Sequence, residues 1–181
     1  MKCVNECCMY DVPLSITDTA RIAGGTGLHP REFVRKVSVN EAESLFTEIR
    51  SGREYYYLFL RKNDEGYCVF HEEGKCVIHG FKPSICRLYP FTMNGRDISV
   101  RRNTICGREW NVKGIGRAGL ASITNDFVTY ANEFRTHDEM ARGWNNGDAG
   151  SLEEFLDKVI MEYAAERSLY ASSCSSDSGT Q

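Results

Sequence analysis

The C-terminal third of the chain has the clearest pattern of apolar and polar positions. Apolar residues recur every three or four positions over residues 120–134, which predicts an amphipathic helix. Residues 151–163 repeat this spacing and begin with Ser-Leu-Glu-Glu, the capping-box sequence that starts a helix. The glycines of residues 143–150 predict a turn between them. We therefore expect a helical hairpin over residues 113–170.

The first forty residues combine shorter patterns. Alternation at residues 12–16 predicts a strand, and Thr17 is a suitable cap for a short helix that ends at the glycines 24–25. Pro30 suits the first position of a second short helix. The apolar residues expected to face inward from that second helix are Phe33, Val34 and Val37.

The middle of the chain predicts β-structure with one short helix. Residues 40–53 are polar and indicate a loop, whereas the run YYYLFL at residues 55–60 indicates a buried strand. Apolar pairs on either side of Glu-Glu-Gly predict a hairpin over residues 67–78. A proline then precedes a helix predicted over residues 84–88, and residues 97–102 predict a further strand.

These elements together predict an α+β fold. We expect a small cysteine-rich domain with short strands and helices over residues 1–112, on which the helical hairpin 113–170 packs. The length of 181 residues fits one core with this helical addition. Residues 171–181 lack large apolar side chains and are expected to be disordered.

Composition and charge exclude several partners. The net charge is −3 and 41% of the residues are apolar, so the sequence gives no reason to expect a nucleic acid as partner. No apolar run approaches the roughly 18 residues that span a membrane, and the N-terminus has no apolar signal segment. We therefore expect a cytoplasmic protein, in a compartment where disulfides are rare.

Cysteine usage is the strongest chemical feature of the sequence. Eight cysteines in a reducing compartment point to metal ligation, with disulfides as the alternative for a hyperthermophile. Seven of them fall in two clusters that are distant in sequence, and the eighth, Cys174, lies in the tail and is not an expected ligand. The seven candidate metal ligands are Cys3, Cys7, Cys8, Cys68, Cys76, Cys86 and Cys106.

The spacing of these cysteines bears on the metal. Structural zinc sites favour paired cysteines two to four residues apart, and only Cys3 and Cys7 come close to that. Seven thiols also exceed the four ligands of one zinc ion, whereas a [4Fe–4S] cluster accepts scattered cysteines. The sequence therefore favours an iron–sulfur cluster, with zinc as the alternative. The predicted ligands are Cys7, Cys76, Cys86 and one of Cys3, Cys8, Cys68 or Cys106.

Three polar residues near these cysteines have more than one interpretation. Arg87 follows Cys86 directly and either offsets the charge of a cluster, or binds an anionic substrate, or forms a surface ion pair. His71 and His79 either donate hydrogen bonds to sulfur or are ordinary loop histidines. A fourth position, His29, precedes a proline and indicates a loop residue.

The order of the cysteine motifs resembles one known family. The sequence has C-x-x-x-C-C at residues 3–8, G-K-C-V-I-H at 74–79 and K-P-x-x-C-R-x-Y-P-F at 82–91, and in this it is similar to the YkgJ-like cysteine-cluster proteins. The resemblance implies a zinc- or iron-chelating or iron–sulfur protein. His79 and Lys82 stand where the family usually has tyrosine and arginine, and neither change removes a proposed ligand.

Three functions follow from these observations. The first is an iron–sulfur protein in a redox or protein-modification role, with a redox partner or a protein substrate. The second is a structural zinc module. The third rests on the resemblance, because the family includes flagellin lysine N-methylases, and is an S-adenosylmethionine-dependent protein lysine methyltransferase or its subunit. No catalytic residue is assigned, and no Ser-His-Asp set stands out.

Overall fold

A computed structural model describes residues 6–105, 110–147 and 150–174, with the side chains of the last helix described as far as Ala164. The α-helices in these segments are α1 (Ile16–Thr26), α2 (Pro30–Phe33), α3 (Ser84–Leu88), α4 (Arg117–Asn146) and α5 (Leu152–Cys174). The strands are β1 (Val34–Ser38), β2 (Ile49–Ser51), β3 (Glu54–Leu60), β4 (His71–Glu72), β5 (Lys75–Cys76), β6 (Phe91–Asn94) and β7 (Asp97–Val100). The predicted α+β class is confirmed.

The largest sheet has three antiparallel strands in the order β1-β3-β2. β3 lies in its centre, and its second half, Leu58 to Leu60, is buried as the sequence predicts. The β4–β5 and β6–β7 pairs are separate two-stranded hairpins. The β4–β5 hairpin, which carries Cys76, follows β3 of the large sheet after a short connection and therefore stays close to the core.

The start of α1 differs from the sequence prediction. Ser15, not Thr17, is the cap: its Oγ accepts the Asp18 N–H at 2.9 Å, and the Ser15 N–H donates to the Asp18 carboxylate at 3.2 Å. This capping box brings Ile16 into the helix, so the predicted strand at residues 12–16 is reduced to a bridge between Pro13 and Phe59. The helix also passes the glycines 24–25.

The predicted second helix is also shorter than expected. α2 ends at Phe33, and Val34 begins β1, in which it lies opposite Leu60. Val37 is buried as predicted, but it is buried from a strand. β-branched valines favour strands, and pairing with β3 satisfies the backbone that a longer helix would have occupied. For the same reason residues 49–51 form β2 within the predicted loop 40–53.

α4 and α5 complete the core around α1. Both helices pack against α1 and β2, and α4 continues to Asn146, past the start of the predicted turn at residue 143. The Trp144 indole donates to the Arg50 carbonyl oxygen at 2.7 Å. Side chains from α5 join the same apolar cluster as those of α1, namely Leu152, Phe155, Leu156 and Val159. None of the described helices has the length and apolarity of a membrane span.

Gly25 lets α1 approach the loop that precedes α3. A Cβ added at Gly25 would lie 2.7 Å from Cγ of Phe81. We therefore expect Gly25→Ala to lower the free energy of unfolding by about 1–2 kcal/mol in urea denaturation, because the clash outweighs the helix preference for alanine. Gly80→Ala, where no atom lies within 4 Å, should change stability by less than about 0.5 kcal/mol. Full stability of Gly25→Ala would contradict the contact.

His137 joins α4 to the start of α1. It is 1% exposed; its Nδ1 accepts the Ile16 N–H at 3.1 Å, and its Nε2 donates to the Thr47 carbonyl oxygen at 2.7 Å. This arrangement requires a neutral ring, and burial lowers the pKa of His137 below its ordinary value, against the weaker opposing effects of Thr47 and Asp138. The His137 ring therefore stays neutral in the folded protein at a pH where the same ring is protonated in the unfolded chain.

We accordingly expect the contribution of His137 to stability to be fully present above about pH 6.5 and to be lost as the pH falls, by up to about 1.4 kcal/mol per pH unit. Urea denaturation from pH 7.5 to 5 measures this, with His137→Gln as the comparison, since glutamine does not titrate. The difference between the two proteins isolates His137 from Asp18, whose raised pKa acts in the opposite direction. Equal pH dependence in both proteins would contradict the assignment.

Candidate metal centre

Cysteines from both sequence clusters line one cavity. The described cysteines of this cavity, called here the sulfur cavity, are Cys7, Cys8, Cys68, Cys76 and Cys86, and its volume is about 640 Å³. Cys3 and Cys106 lie outside the described residues. The prediction that thiols distant in sequence come together therefore agrees with the placement of these five.

A single turn presents two adjacent cysteines to this cavity. Cys7 and Cys8 lie in the 3-10 turn Glu6–Met9, which is why both can face the cavity although neighbouring residues of a strand could not. The Cys8 carbonyl oxygen accepts the Cys68 N–H at 2.8 Å and the Lys62 ammonium at 3.0 Å. The Lys62 ammonium also donates to the Tyr10 carbonyl oxygen. These hydrogen bonds attach the N-terminal turn to residues 62–68.

The β4–β5 hairpin places Cys76 but not in the predicted register. Cys76 lies opposite His71, whereas Cys68 precedes the hairpin and bridges to Lys62. Cys68 and Cys76 therefore do not pair with each other across the hairpin. Glu73 and Gly74 both have positive φ angles, of 45° and 72°, as a tight two-residue turn requires. This turn fixes a shorter hairpin than the apolar pattern indicated.

α3 presents Cys86, as the sequence predicts. The helix spans Ser84–Leu88 and follows Pro83. The Ser84 N–H donates to the Asp18 carboxylate at 2.9 Å, so α1 fixes the first turn of α3. Ser84 and Asp18 are each 1% exposed. Cys86 therefore projects from a helix whose start is held by a buried hydrogen bond.

Arg87 faces α4 and not the sulfur cavity. Its guanidinium donates to Ser84 Oγ at 2.7 Å and lies 3.5 Å from Glu133 and 3.8 Å from Asp126. The ion-pair interpretation of Arg87 is therefore the one the structure supports, and the pair is partly buried. The lysines that line the sulfur cavity are Lys75 and Lys82, and Lys82 is the one that acts on the Cys7 thiol. Sequence reasoning noted Lys82 only as a departure from the family pattern, although a cation four residues before Cys86 could have suggested this role.

The electrostatics of the cavity favour one preformed thiolate. A hydrogen bond from the Cys8 thiol, helped by Lys82, lowers the pKa of Cys7 to about 6 against the effect of burial. Donating that hydrogen bond raises the pKa of Cys8. Burial raises the pKa of Cys68 and Cys86. At neutral pH the lowered pKa leaves the Cys7 thiol largely deprotonated, whereas the raised pKa values keep the thiols of Cys8, Cys68 and Cys86 protonated.

The histidines occupy distinct places. His79 lines the sulfur cavity. His71 stacks on Tyr67 with ring centres 4.5 Å apart, and its buried Nε2 has no hydrogen-bond partner within the described part of the chain. Hydrogen bonding of either ring to sulfur stays a prediction. His29, expected in a loop, caps α2 by accepting the Arg31 N–H at 3.2 Å and contacts Asp157 at 3.0 Å.

The thiols surround a space but do not meet at a point. Within residues 6–105, 110–147 and 150–174, no three histidine, cysteine, aspartate or glutamate side chains are arranged to hold a single metal ion. Five soft sulfur donors around one cavity nevertheless suit a thiolate-bound metal group by their chemistry. The donor set therefore fits such a group.

Comparison with known proteins gives one match. Residues 1–107 match a family model, CxxCxxCC, described as "Putative zinc- or iron-chelating domain". No curated protein and no solved structure matches the chain. The matched segment contains all seven candidate ligands and ends one residue after the last of them.

Proposed function

The chain belongs to the CxxCxxCC family of zinc- or iron-chelating domains, and from this premise we propose that its sulfur cavity holds an iron–sulfur cluster. The observation that carries the proposal is that five cysteines from both sequence clusters line one cavity of about 640 Å³. A tetrahedral zinc site needs every sulfur at about 2.3 Å from one ion. A cluster binds its thiolates through separate iron atoms, so its ligands enclose a larger space.

The ligand set is the one the sequence favours. We propose Cys7, Cys76 and Cys86, with a fourth ligand from among Cys3, Cys8, Cys68 and Cys106. Cys7 supports this as the thiol with the lowered pKa, and Lys82 supplies a positive charge beside it. When bound, such a cluster supplies one-electron transfer. The chain's own residues hold it in place through thiolates, offset its charge and limit its contact with water.

The biological role that follows is redox or protein modification in the cytoplasm. A reducing compartment keeps the thiols free to bind metal. The Cys7, Cys8 and Cys76 side chains are only partly buried, so a partner could approach the cavity from this side. We propose either a redox partner protein or a protein substrate for that contact.

Anaerobic purification followed by spectroscopy and elemental analysis tests the cluster. We expect a visible absorption band at about 400 nm, with about four iron and four acid-labile sulfide per chain. A colourless protein that contains one zinc per chain would overturn the proposal in favour of the structural zinc module. That alternative draws support from the contact between the Cys7 and Cys8 thiols, which are already close enough to share a hydrogen bond.

Lysine methylation with S-adenosylmethionine remains the third hypothesis, and it has less support. Gly24 and Gly25 lie inside α1, so this glycine-rich segment is not a loop between a strand and a helix that could cradle a nucleotide-like ligand. Calorimetric titration of the purified chain with S-adenosylmethionine tests the hypothesis. Absence of binding would remove it without affecting the cluster.

A further inference from the structure

A second cavity shares a wall with the sulfur cavity. Its volume is about 480 Å³, within the range of small-molecule sites. Cys7, Cys86, Val12 and Tyr89 line both cavities. A molecule in the second cavity would therefore lie against the same two cysteines that we propose as metal ligands.

Aromatic rings form much of the lining of this second cavity, called here the aromatic cavity. Tyr89 directly follows α3, Phe91 begins β6, and Phe127 and Tyr130 come from α4. Aliphatic side chains such as Ile85 complete the apolar surface. Flat, apolar groups pack well against such rings, in stacked or edge-on arrangements. The lining therefore indicates a ligand that contains an aromatic ring.

One cation gives this cavity a polar specificity. Arg101 lines it, and no carboxylate of the described residues pairs with the Arg101 guanidinium. Asp11 also lines the cavity, but Arg35 pairs with its carboxylate at 3.0 Å. A guanidinium at an apolar cavity, with no counter-charge in the part of the chain that the structure describes, is suited to a carboxylate, which it can bind through two parallel hydrogen bonds.

The Tyr130 hydroxyl adds a donor on the same side. Burial raises the pKa of Tyr130, against a smaller opposing effect of Arg101. The hydroxyl is therefore protonated at neutral pH and can donate a hydrogen bond to an anion. Its ring also contacts Phe46, with centroids 6.3 Å apart, which holds the ring against the segment before β2. The donor and the cation together distinguish an anionic ligand from a neutral one.

We propose that the aromatic cavity binds a small aromatic carboxylate, with its ring against Phe91 and Phe127 and its carboxylate on Arg101. This goes beyond the proposed function, because the cavity and its charge do not depend on which metal the cysteines hold. The shared wall makes the bound molecule a neighbour of Cys7 and Cys86. The site thus gives the metal centre an adjacent pocket for a substrate or an effector of this class.

Calorimetric titration of the purified full chain tests the proposal with two probes of equal shape. 2-Naphthoate carries the carboxylate, and 2-naphthalenemethanol replaces it with a neutral group. We expect naphthoate to bind at least about tenfold more tightly, as a charge-assisted hydrogen bond predicts. Arg101→Gln should remove that preference, whereas Arg102→Gln should keep it, because both arginines are exposed but only Arg101 lines the cavity.

A second pair of variants locates the ring of the probe. Phe127→Ala should weaken both probes by about tenfold or more, because it removes an aromatic contact. Val128→Ala, at a neighbouring position that is 53% exposed, should leave both affinities unchanged. Equal affinity for the two probes, or unchanged naphthoate binding in Arg101→Gln or in Phe127→Ala, would overturn the proposal.

These outcomes are independent of the cluster. Calorimetry reports binding whether the protein is brown or colourless, so a zinc-loaded chain that binds naphthoate through Arg101 would support the aromatic cavity and overturn only the cluster. An iron-loaded chain that binds neither probe would overturn only the aromatic cavity.

Discussion

Replacing Cys86 by serine is expected to remove the bound metal and to lower the midpoint of thermal unfolding by about 10 °C or more. Cys86 projects from α3 and lines both cavities, so its sulfur lies on their common wall. A serine hydroxyl does not ionise at neutral pH and is a hard donor, so it is a poor ligand for metals that select thiolate. Elemental analysis and circular dichroism of anaerobically prepared protein measure both effects.

Two comparisons keep this result interpretable. Cys174→Ser should retain metal and stability, since Cys174 ends α5 and lies outside the family match. Wild-type protein stripped of metal by a chelator should unfold at the same temperature as Cys86→Ser, because in both the stabilisation by metal is missing. Equal metal content in Cys86→Ser and the wild type would show that Cys86 is not a ligand.

Replacing Asp18 by alanine is expected to lower the free energy of unfolding by about 3–5 kcal/mol. Asp18 is 1% exposed, and its carboxylate accepts hydrogen bonds from Ser15 N–H, Ser84 N–H and the Arg21 guanidinium. Alanine would leave the Arg21 guanidinium with Glu133 as its one remaining carboxylate among the described residues. It would also remove the carboxylate half of the α1 capping box, which accepts the Ser15 N–H, and the acceptor at the start of α3.

A matched control separates burial from capping. Glu154 holds the same third position in the capping box of α5, where its carboxylate accepts the Ser151 N–H at 2.6 Å, but it is exposed. Glu154→Ala should therefore lower stability by only about 1 kcal/mol. If urea denaturation gives similar losses for the two variants, the buried contacts of Asp18 add nothing beyond an ordinary helix cap.

The parts of the fold that the sequence predicts well depend on local signals. The proline before α3 and the capping box that begins at Ser151 are each recognisable from a stretch of about four residues. The structure has both helices where they were expected. Val34 shows the opposite case. Its neighbours permit helix or strand, and pairing with Leu60, which lies far along the chain, selects the strand. Tertiary pairing of this kind overrides local preference.

In the candidate site, too, local sequence predicts some features and tertiary contacts decide the others. Residue type and the expected compartment suffice to predict that cysteines such as Cys7 and Cys86 lie around one cavity, because many cysteines in a reducing compartment are typical of metal ligands. The partner of Arg87 could not be predicted, since Glu133 lies on a helix with no sequence feature that pairs the two. The same holds for His137, which accepts a hydrogen bond from an amide 121 residues away.

The carboxylate of Glu133 also links the cysteine-rich segment to the helices that follow it. The family similarity stops at residue 107, yet Arg21 and Arg87 both pair with Glu133 on α4, beyond that point. A truncated chain ending at residue 107 would keep both guanidinium groups and lose this shared acid, together with the α5 side chains that close the core. The boundary of sequence similarity is therefore not the boundary of the cooperative unit, and metal-loading studies require a polypeptide that extends through α5.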